Sequence, residues 1–148
     1  MIWILKPFEE LTAKELYQIL QLRNEVFIVE QNCPYQDMDN KDLKAFHLMA
    51  VEDEKIIAYS RLLPPGISYS ESSIGRIVNS RSVRKKGMGK QLMTESISRI
   101  NQLFNTSVIR IGAQLYLKDF YQSFGFIQQG DIYLEDNIPH IIMLKNSK

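Results

Sequence analysis

The succession of apolar runs and helical stripes along the chain predicts an α/β fold, one mixed and strongly twisted sheet of about seven strands with helices on both faces. Three observations carry that expectation. Short apolar runs bounded by turn formers recur through the sequence, and two longer stretches keep a helical apolar period. The second helical stretch stands between two apolar runs, so it serves as a crossover that makes the strands before and after it parallel.

Ile2 to Leu5, ahead of the Lys6-Pro7 break, reads as a first strand. Thr12 and Glu15 have the spacing of a capping box, with Leu11 and Leu16 placed to staple the entry of a helix. Leu16, Ile19, Leu20 and Phe27 continue its apolar stripe to about Val29. From Glu30 to Lys44 the period disappears among the turn formers Asn32, Pro34, Asp37, Asp39 and Asn40, which predicts an irregular segment with room for one short helical turn. His47 to Glu52 and Lys55 to Leu63 form a hairpin about Asp53-Glu54 that stops at Pro64-Pro65-Gly66, and Ser73 to Ser80 is the next strand. Met88, Leu92, Met93, Ile97, Ile100 and Leu103 share one face of a helix that starts near Gly87. Ser107 to Ala113 has the character of a buried strand and Leu117 to Phe124 of a short helix. Two strands, Phe126 to Leu134 and Pro139 to Leu144, close a single domain of residues 1–148.

A chain of 148 residues can close one hydrophobic core without disulfides or a structural metal. At 45% hydrophobic and 24% charged residues it has the composition of an ordinary globular domain, with no repeat or low-complexity segment. Eighteen basic and seventeen acidic residues leave a net charge of +1, which offers no general attraction to nucleic acid, so any basic site is local. Cys33 stands alone, so an internal disulfide is excluded and the chain suits a reducing compartment, read here as the cytoplasm. The apolar start from Met1 to Leu5 lacks a basic flank and is too short for a signal segment or a membrane span; neither membrane nor nucleic acid is expected as a partner. Asp37, Asp39 and Asp42 look superficially like a calcium loop. The required glycine is missing and Leu48 stands where the twelfth-position glutamate belongs, so no metal is expected; turn geometry or attraction for a cationic substrate accounts for them instead.

The sharpest chemical feature is the loop Arg84-Lys85-Lys86-Gly87-Met88-Gly89-Lys90, set between the apolar strand Ile74 to Val78 and a helix. Free amides and the positive end of the helix dipole favour an anion there, and glycines let a phosphate approach the backbone. A surface turn with solvated charges and a glycine cap is the plainer alternative. A nucleotide-triphosphate loop is excluded, because it needs glycine where Arg84 stands and Ser or Thr where Gln91 stands.

Arg84-x-x-Gly87-x-Gly89 resembles the pyrophosphate-binding pattern of the GNAT acetyltransferase superfamily, and the order of elements is similar to that fold throughout. Gln114, Phe120-Tyr121 and Gly125-Phe126 fall where the superfamily often has Asn, an aromatic-Tyr pair and Gly-Phe. Glu25-Val26-Phe27, Val29-Glu30-Gln31, Cys33-Pro34-Tyr35, Asp37, Asp39, Leu62-Leu63-Pro64-Pro65-Gly66, Ser73-Ile74-Gly75-Arg76, Phe120-Tyr121 and Ile138-Pro139-His140 resemble segments of its ElaA-like subgroup. The sequence departs from the pattern in Gln114, in Lys85 and Lys86 where glycine is frequent, and in Asn79 near the end of a strand that is often wholly aliphatic.

The resemblance implies acetyl-CoA as acyl donor, its pyrophosphate on residues 84–90, and its pantetheine arm along Ile77, Val78 and Asn79 and near Gln114 and Tyr121. It implies direct attack by a primary amine of a small molecule, peptide or protein, with a backbone N–H of the fourth strand on the oxyanion. A binding module that holds acyl-CoA without turnover is the alternative, and a homodimer is common in the superfamily. Tyr121 is the candidate acid for the leaving thiolate, and packing of the short helix is the competing role. A lysine-like amine, pKa about 10.4, must lose a proton before it attacks, so a base or a desolvating pocket is required. His140, beside Glu135 and Asp136, is the candidate base; Glu30, Glu71 and His47 are further candidates, with His47 expected only to pack or hydrogen-bond. No basic residue adjoins Cys33 in sequence, which favours a structural role over acyl transfer through its thiol.

Overall fold

The computed structural model describes residues 1–146, so the last two residues of the expected 1–148 domain lie outside the described residues. Strands β1 (Ile2–Pro7), β2 (Phe46–Glu52), β3 (Lys55–Leu63) and β4 (Ser73–Asn79) pair antiparallel in that order. In a second antiparallel sheet β7 (Ile138–Lys145) lies between β5 (Ile109–Gln114) and β6 (Ile127–Glu135). The fold class is the expected one, but its sheet is hydrogen-bonded as two. A single parallel bridge, Ser72 to Ile109, joins them, with the Arg110 N–H donating to the Ser72 carbonyl at 2.9 Å. Beyond that bridge β4 and β5 diverge. The register of β4 on β3 shows a physical cause: Gly75 lies opposite Arg61 and Val78 opposite Tyr59, so Arg76 and Ile77 together face Ser60. At this bulge Arg76 takes a φ of 51°, and the added twist turns the free edge of β4 away from β5.

Helix α1 (Ala13–Arg23) opens on the expected capping box. The Glu15 N–H donates to Thr12 Oγ1 at 3.0 Å, and the Thr12 N–H donates to Glu15 Oε1 at 2.9 Å. The apolar stripe runs on toward Val29, yet the regular α-helix stops at Arg23 and the backbone widens into π-type turns over Asn24–Glu30. Val26, Ile28 and Val29 are β-branched and crowd a tight turn; the wider one sets Val26 and Phe27 against Ile19, Leu22, Met49, Tyr59 and Val78.

Helix α2 (Met88–Phe104) covers the other face of the first sheet, burying Met88, Leu92, Met93, Ser96 and Ile100 against a core that draws on both sheets, from Leu48 and Ala50 to Ile111 and Met143. Its one buried polar group is satisfied twice. Ser96 Oγ donates to the Leu92 carbonyl at 2.6 Å, so the Ser60 hydroxyl, 2.8 Å away, donates to Ser96. Helix α3 (Lys118–Gln122) packs Tyr121 edge-on to Phe120 and Phe126.

The irregular segment ahead of β2 is held by charge. Arg23, fully buried at the end of α1, donates to Asp37 and Asp42 at 2.8 Å each. Arg61 of β3 reaches Asp39 and Asp42 at 2.7 and 3.0 Å, and Arg76 at the bulge reaches Asp37 at 2.7 Å. Three guanidiniums thus meet three carboxylates, and the calcium-like aspartates are arginine ligands. His47 extends the network: its Nε2 donates to the Asp42 carbonyl at 2.9 Å, which leaves Nδ1 to accept from the Tyr59 hydroxyl at 2.7 Å. Burial lowers the His47 pKa, in keeping with a neutral ring that packs and hydrogen-bonds.

Removing one arginine leaves buried carboxylates unpaired, so Arg23→Met should cost about 3–5 kcal/mol, read by urea unfolding. Arg61 hydrogen bonds hold Asp39 down at about 2 against the cost of its burial, and Asp42 is lowered by Arg23 and Arg61. Carboxylates depressed in the fold stabilise it above their unfolded pKa of roughly 3.9 and lose that contribution as pH falls through the folded values. Stability should therefore drop between about pH 4 and pH 2, and Asp39→Asn should flatten that slope in unfolding measured across pH.

Candidate active site

The divergence of β4 and β5 opens a cleft of about 800 Å³. One wall is β4 from Ser73 to Asn79; the other is β5 from Ile111 to Gln114 with Tyr121 of α3 behind it. The far side is closed by Tyr35, Tyr69 and the β6–β7 turn with Tyr133, Glu135, Asp136 and His140. Since among the described residues β4 pairs only with β3 along its length, the Ile77 and Val78 backbone faces the cleft from a free edge. Asn79 Oδ1 is buried there without a hydrogen-bond partner.

Of the expected donor-binding residues, the structure brings Ile77, Val78, Asn79, Arg84, Gln114 and Tyr121 into the lining. Lys85, Lys86, Gly87, Met88, Gly89 and Lys90 are not in the lining; they follow Arg84, which is, into the start of α2. Lys85 and Gly87 have φ of 62° and 79°, a tight turn into α2. No side chain caps Gly87, no acidic residue stands in the first turn, and the first backbone bond there runs from the Gln91 N–H to the Gly87 carbonyl at 3.2 Å. The helix therefore begins with free amides and uncompensated positive polarity. The Met88 side chain is buried in the core, so this residue has only its backbone to offer an anion. Arg84 is already engaged, donating to Glu30, which also takes Arg81 at 2.9 Å. These bonds hold the Glu30 carboxyl below its usual range.

Tyr121 is 5% exposed, and burial pushes its pKa up, so it is a neutral phenol at physiological pH. His140 stands opposite Gln114 on β5 and Tyr133 on β6. Its Nδ1 lies 2.7 Å from the Ile138 carbonyl. A carbonyl only accepts, so Nδ1 carries a proton; in the neutral ring Nε2, 3.5 Å from the Glu135 carboxylate, is then the nitrogen with the lone pair. Glu71 is held by Arg110 at 2.9 and 3.0 Å, with its carboxyl at about 2, and lies outside the lining. The Cys33 thiol donates to the Asp136 carbonyl at 3.6 Å and ties the irregular segment to the β6–β7 turn.

Tyr69 and Tyr133 stand in no motif of the sequence, and Tyr35 only in the segment Cys33-Pro34-Tyr35. A usable signal was present in Gly112, a glycine within a strand, which marks close approach of another group. A Cβ there would lie 3.0 Å from the Tyr133 hydroxyl and 3.3 Å from that of Tyr69. Burial first and the Glu135 charge second push Tyr133 up to about 12, and the same two causes raise Tyr69.

A free strand edge inside a cleft, beside an anion-receptive helix start, suits an extended ligand that pairs with a strand and carries an anionic group at one end. The family model of the acetyltransferase (GNAT) domain matches residues 9–147. Protein ElaA of Escherichia coli K12 is 41% identical over 138 residues, covering 92% of this chain and 90% of that protein. Among solved structures, an acyl-CoA N-acyltransferase from Pseudomonas aeruginosa superposes with a TM-score of 0.93 at 43% identity, covering 98% of this chain and 99% of that one. Escherichia coli ElaA follows at 0.90 and 38%, covering 99% and 100%. An aminoglycoside 6'-N-acetyltransferase complexed with coenzyme A, 16% identical with a TM-score of 0.69 over 96% of both chains, shares the fold. The chain belongs to the GNAT acetyltransferase family, in its ElaA-like subgroup, and is an acyltransferase of acyl-CoA type.

Gly87 has open space around its missing Cβ, so the cost of Gly87→Ala is confined to its left-handed backbone, on the order of 1 kcal/mol. Thermal unfolding should show that loss.

Proposed function

We propose that the protein transfers acetyl from acetyl-CoA to a primary amine by direct attack in a ternary complex. The observation that carries the reading is the free edge of β4 across from β5, with Tyr121 and His140 lining the same cleft. The pyrophosphate lies at the amides of residues 85–90 with Lys85 and Lys86 beside it, and the pantetheine arm pairs with the Ile77 and Val78 backbone. The unpartnered Asn79 Oδ1 suits an amide N–H of that arm. A β4 backbone N–H supports the oxyanion that develops on the acyl carbonyl.

His140 takes the amine proton at Nε2. The Ile138 carbonyl holds the tautomer that leaves this nitrogen free, and Glu135 steadies the imidazolium that results. Tyr121 faces the leaving sulfur. A thiol of pKa roughly 8.5 gains no proton easily from a phenol already above 10, a gap of at least ~2 kcal/mol. The raised pKa of Tyr121 therefore favours a hydrogen bond donated to the thiolate over complete transfer.

Acetyl-CoA at about 100 times its Kd should stabilise the fold by about 2.7 kcal/mol in thermal unfolding, and no shift would count against the reading. Thiol release from acetyl-CoA with a panel of primary amines then measures turnover. Tyr121→Phe should lower kcat on the order of a hundredfold with donor affinity kept. His140→Gln should remove the acidic limb of the pH–rate profile, since a base must be unprotonated to act; an unaltered profile dismisses it.

A further inference from the structure

Glu30 occupies the group that the donor needs. Arg84 is the first residue of the pyrophosphate-binding pattern, and its guanidinium points at the Glu30 carboxylate with Nη2 3.5 Å from the Asn79 carbonyl. Arg81, three residues earlier, bonds the same carboxylate at 2.9 Å. Two guanidiniums on one carboxylate resemble the way such side chains hold a phosphate. Glu30 comes from the end of the π-type turns, a different part of the chain from the loop, and it lines the cleft together with Val26, Phe27 and Cys33. The side chains of Glu30 and Arg84 are both partly exposed, so the hold on Arg84 is of the weak, exchangeable kind expected of a pair open to solvent.

Resting on the acyl-CoA reading above, we infer that Glu30 stands in for the donor's pyrophosphate and is displaced by it. Donor binding transfers Arg84 from the carboxylate to the phosphate and leaves Glu30 on the cleft side with the more exposed Arg81 as its remaining partner. The carboxylate is then available to attract the ammonium form of the amine, so the acceptor binds after the donor. The empty protein keeps that negative charge neutralised and has little hold on amines. Glu30 is in these terms a positioning residue that reports occupancy of the donor site to the acceptor site.

The test is a cycle of Glu30→Gln, Arg84→Gln and the double variant, with CoA binding measured by calorimetry and each variant checked for unaltered thermal unfolding. Glu30→Gln in the otherwise native protein should tighten CoA about two- to fivefold, the range an exposed ion pair is worth. The same change in the Arg84→Gln background reports only the general field of the charge and should tighten CoA less. Equal effects in both backgrounds overturn the displacement. In the same Glu30→Gln variant the KM for a cationic amine should rise while the Kd for CoA falls, an opposition that a structural loss would not produce; an unchanged KM overturns the acceptor role. Failure of the unaltered protein to bind CoA at all would instead overturn the acyl-CoA reading, a distinct outcome.

Discussion

Three arginines and three aspartates, packed where α1, β3, the β4 bulge and the irregular segment meet, are the constraint on which the site rests. Each guanidinium shares its carboxylates with another, so no member leaves without stranding a charge in a medium that solvates it poorly. Arg76 can adopt a left-handed backbone because Asp37 receives its side chain on the far side of the bulge. That bulge in turn parts β4 from β5. The cleft and the charge network are therefore one construction: the ions fix an irregular loop that has too few apolar residues to fix itself, and the bulged strand they hold provides the wall.

Acyl transfer asks for two things that compete in a β-protein, namely a strand edge free to pair with an extended ligand and a sheet with no edge open to other chains. The second sheet resolves the conflict. Among the described residues it is hydrogen-bonded to the first through the Ser72–Ile109 bridge, so the β4 edge is free but enclosed, and Gln114 of β5, Tyr121 of α3 and His140 of β7 face it. Polarity within the cleft is graded. The free amides that open α2 follow Arg84 at one end, and Glu135, Asp136, Tyr69 and Tyr133 line the other.

Much of the fold was legible along the chain because it rests on local or periodic signals. The capping box at Thr12, the hairpin about Asp53-Glu54 and the apolar face of α2 each depend on residues close in sequence. The end of α1 was not legible, since the stripe from Leu16 to Val29 persists through both α and π turns and the crowding of Val26, Ile28 and Val29 shows only when they pack. Asp37, Asp39 and Asp42 announced themselves as a cluster, but their partners Arg23, Arg61 and Arg76 are spread over three elements, and no spacing rule joins them.

The sequence by itself determined the order of elements, the two helix starts and the glycine turn at residues 84–89, because a helix entry and a left-handed turn are settled within a few residues. It also carried the family, through motifs that stay together on the chain. Only the tertiary structure decided that the sheet divides at the bulge of Arg76, that Arg84 is held by Glu30 across the mouth, and that Tyr69 and Tyr133 close over Gly112. Those contacts join residues far apart along the chain, and they exist only once the fold has brought their elements together.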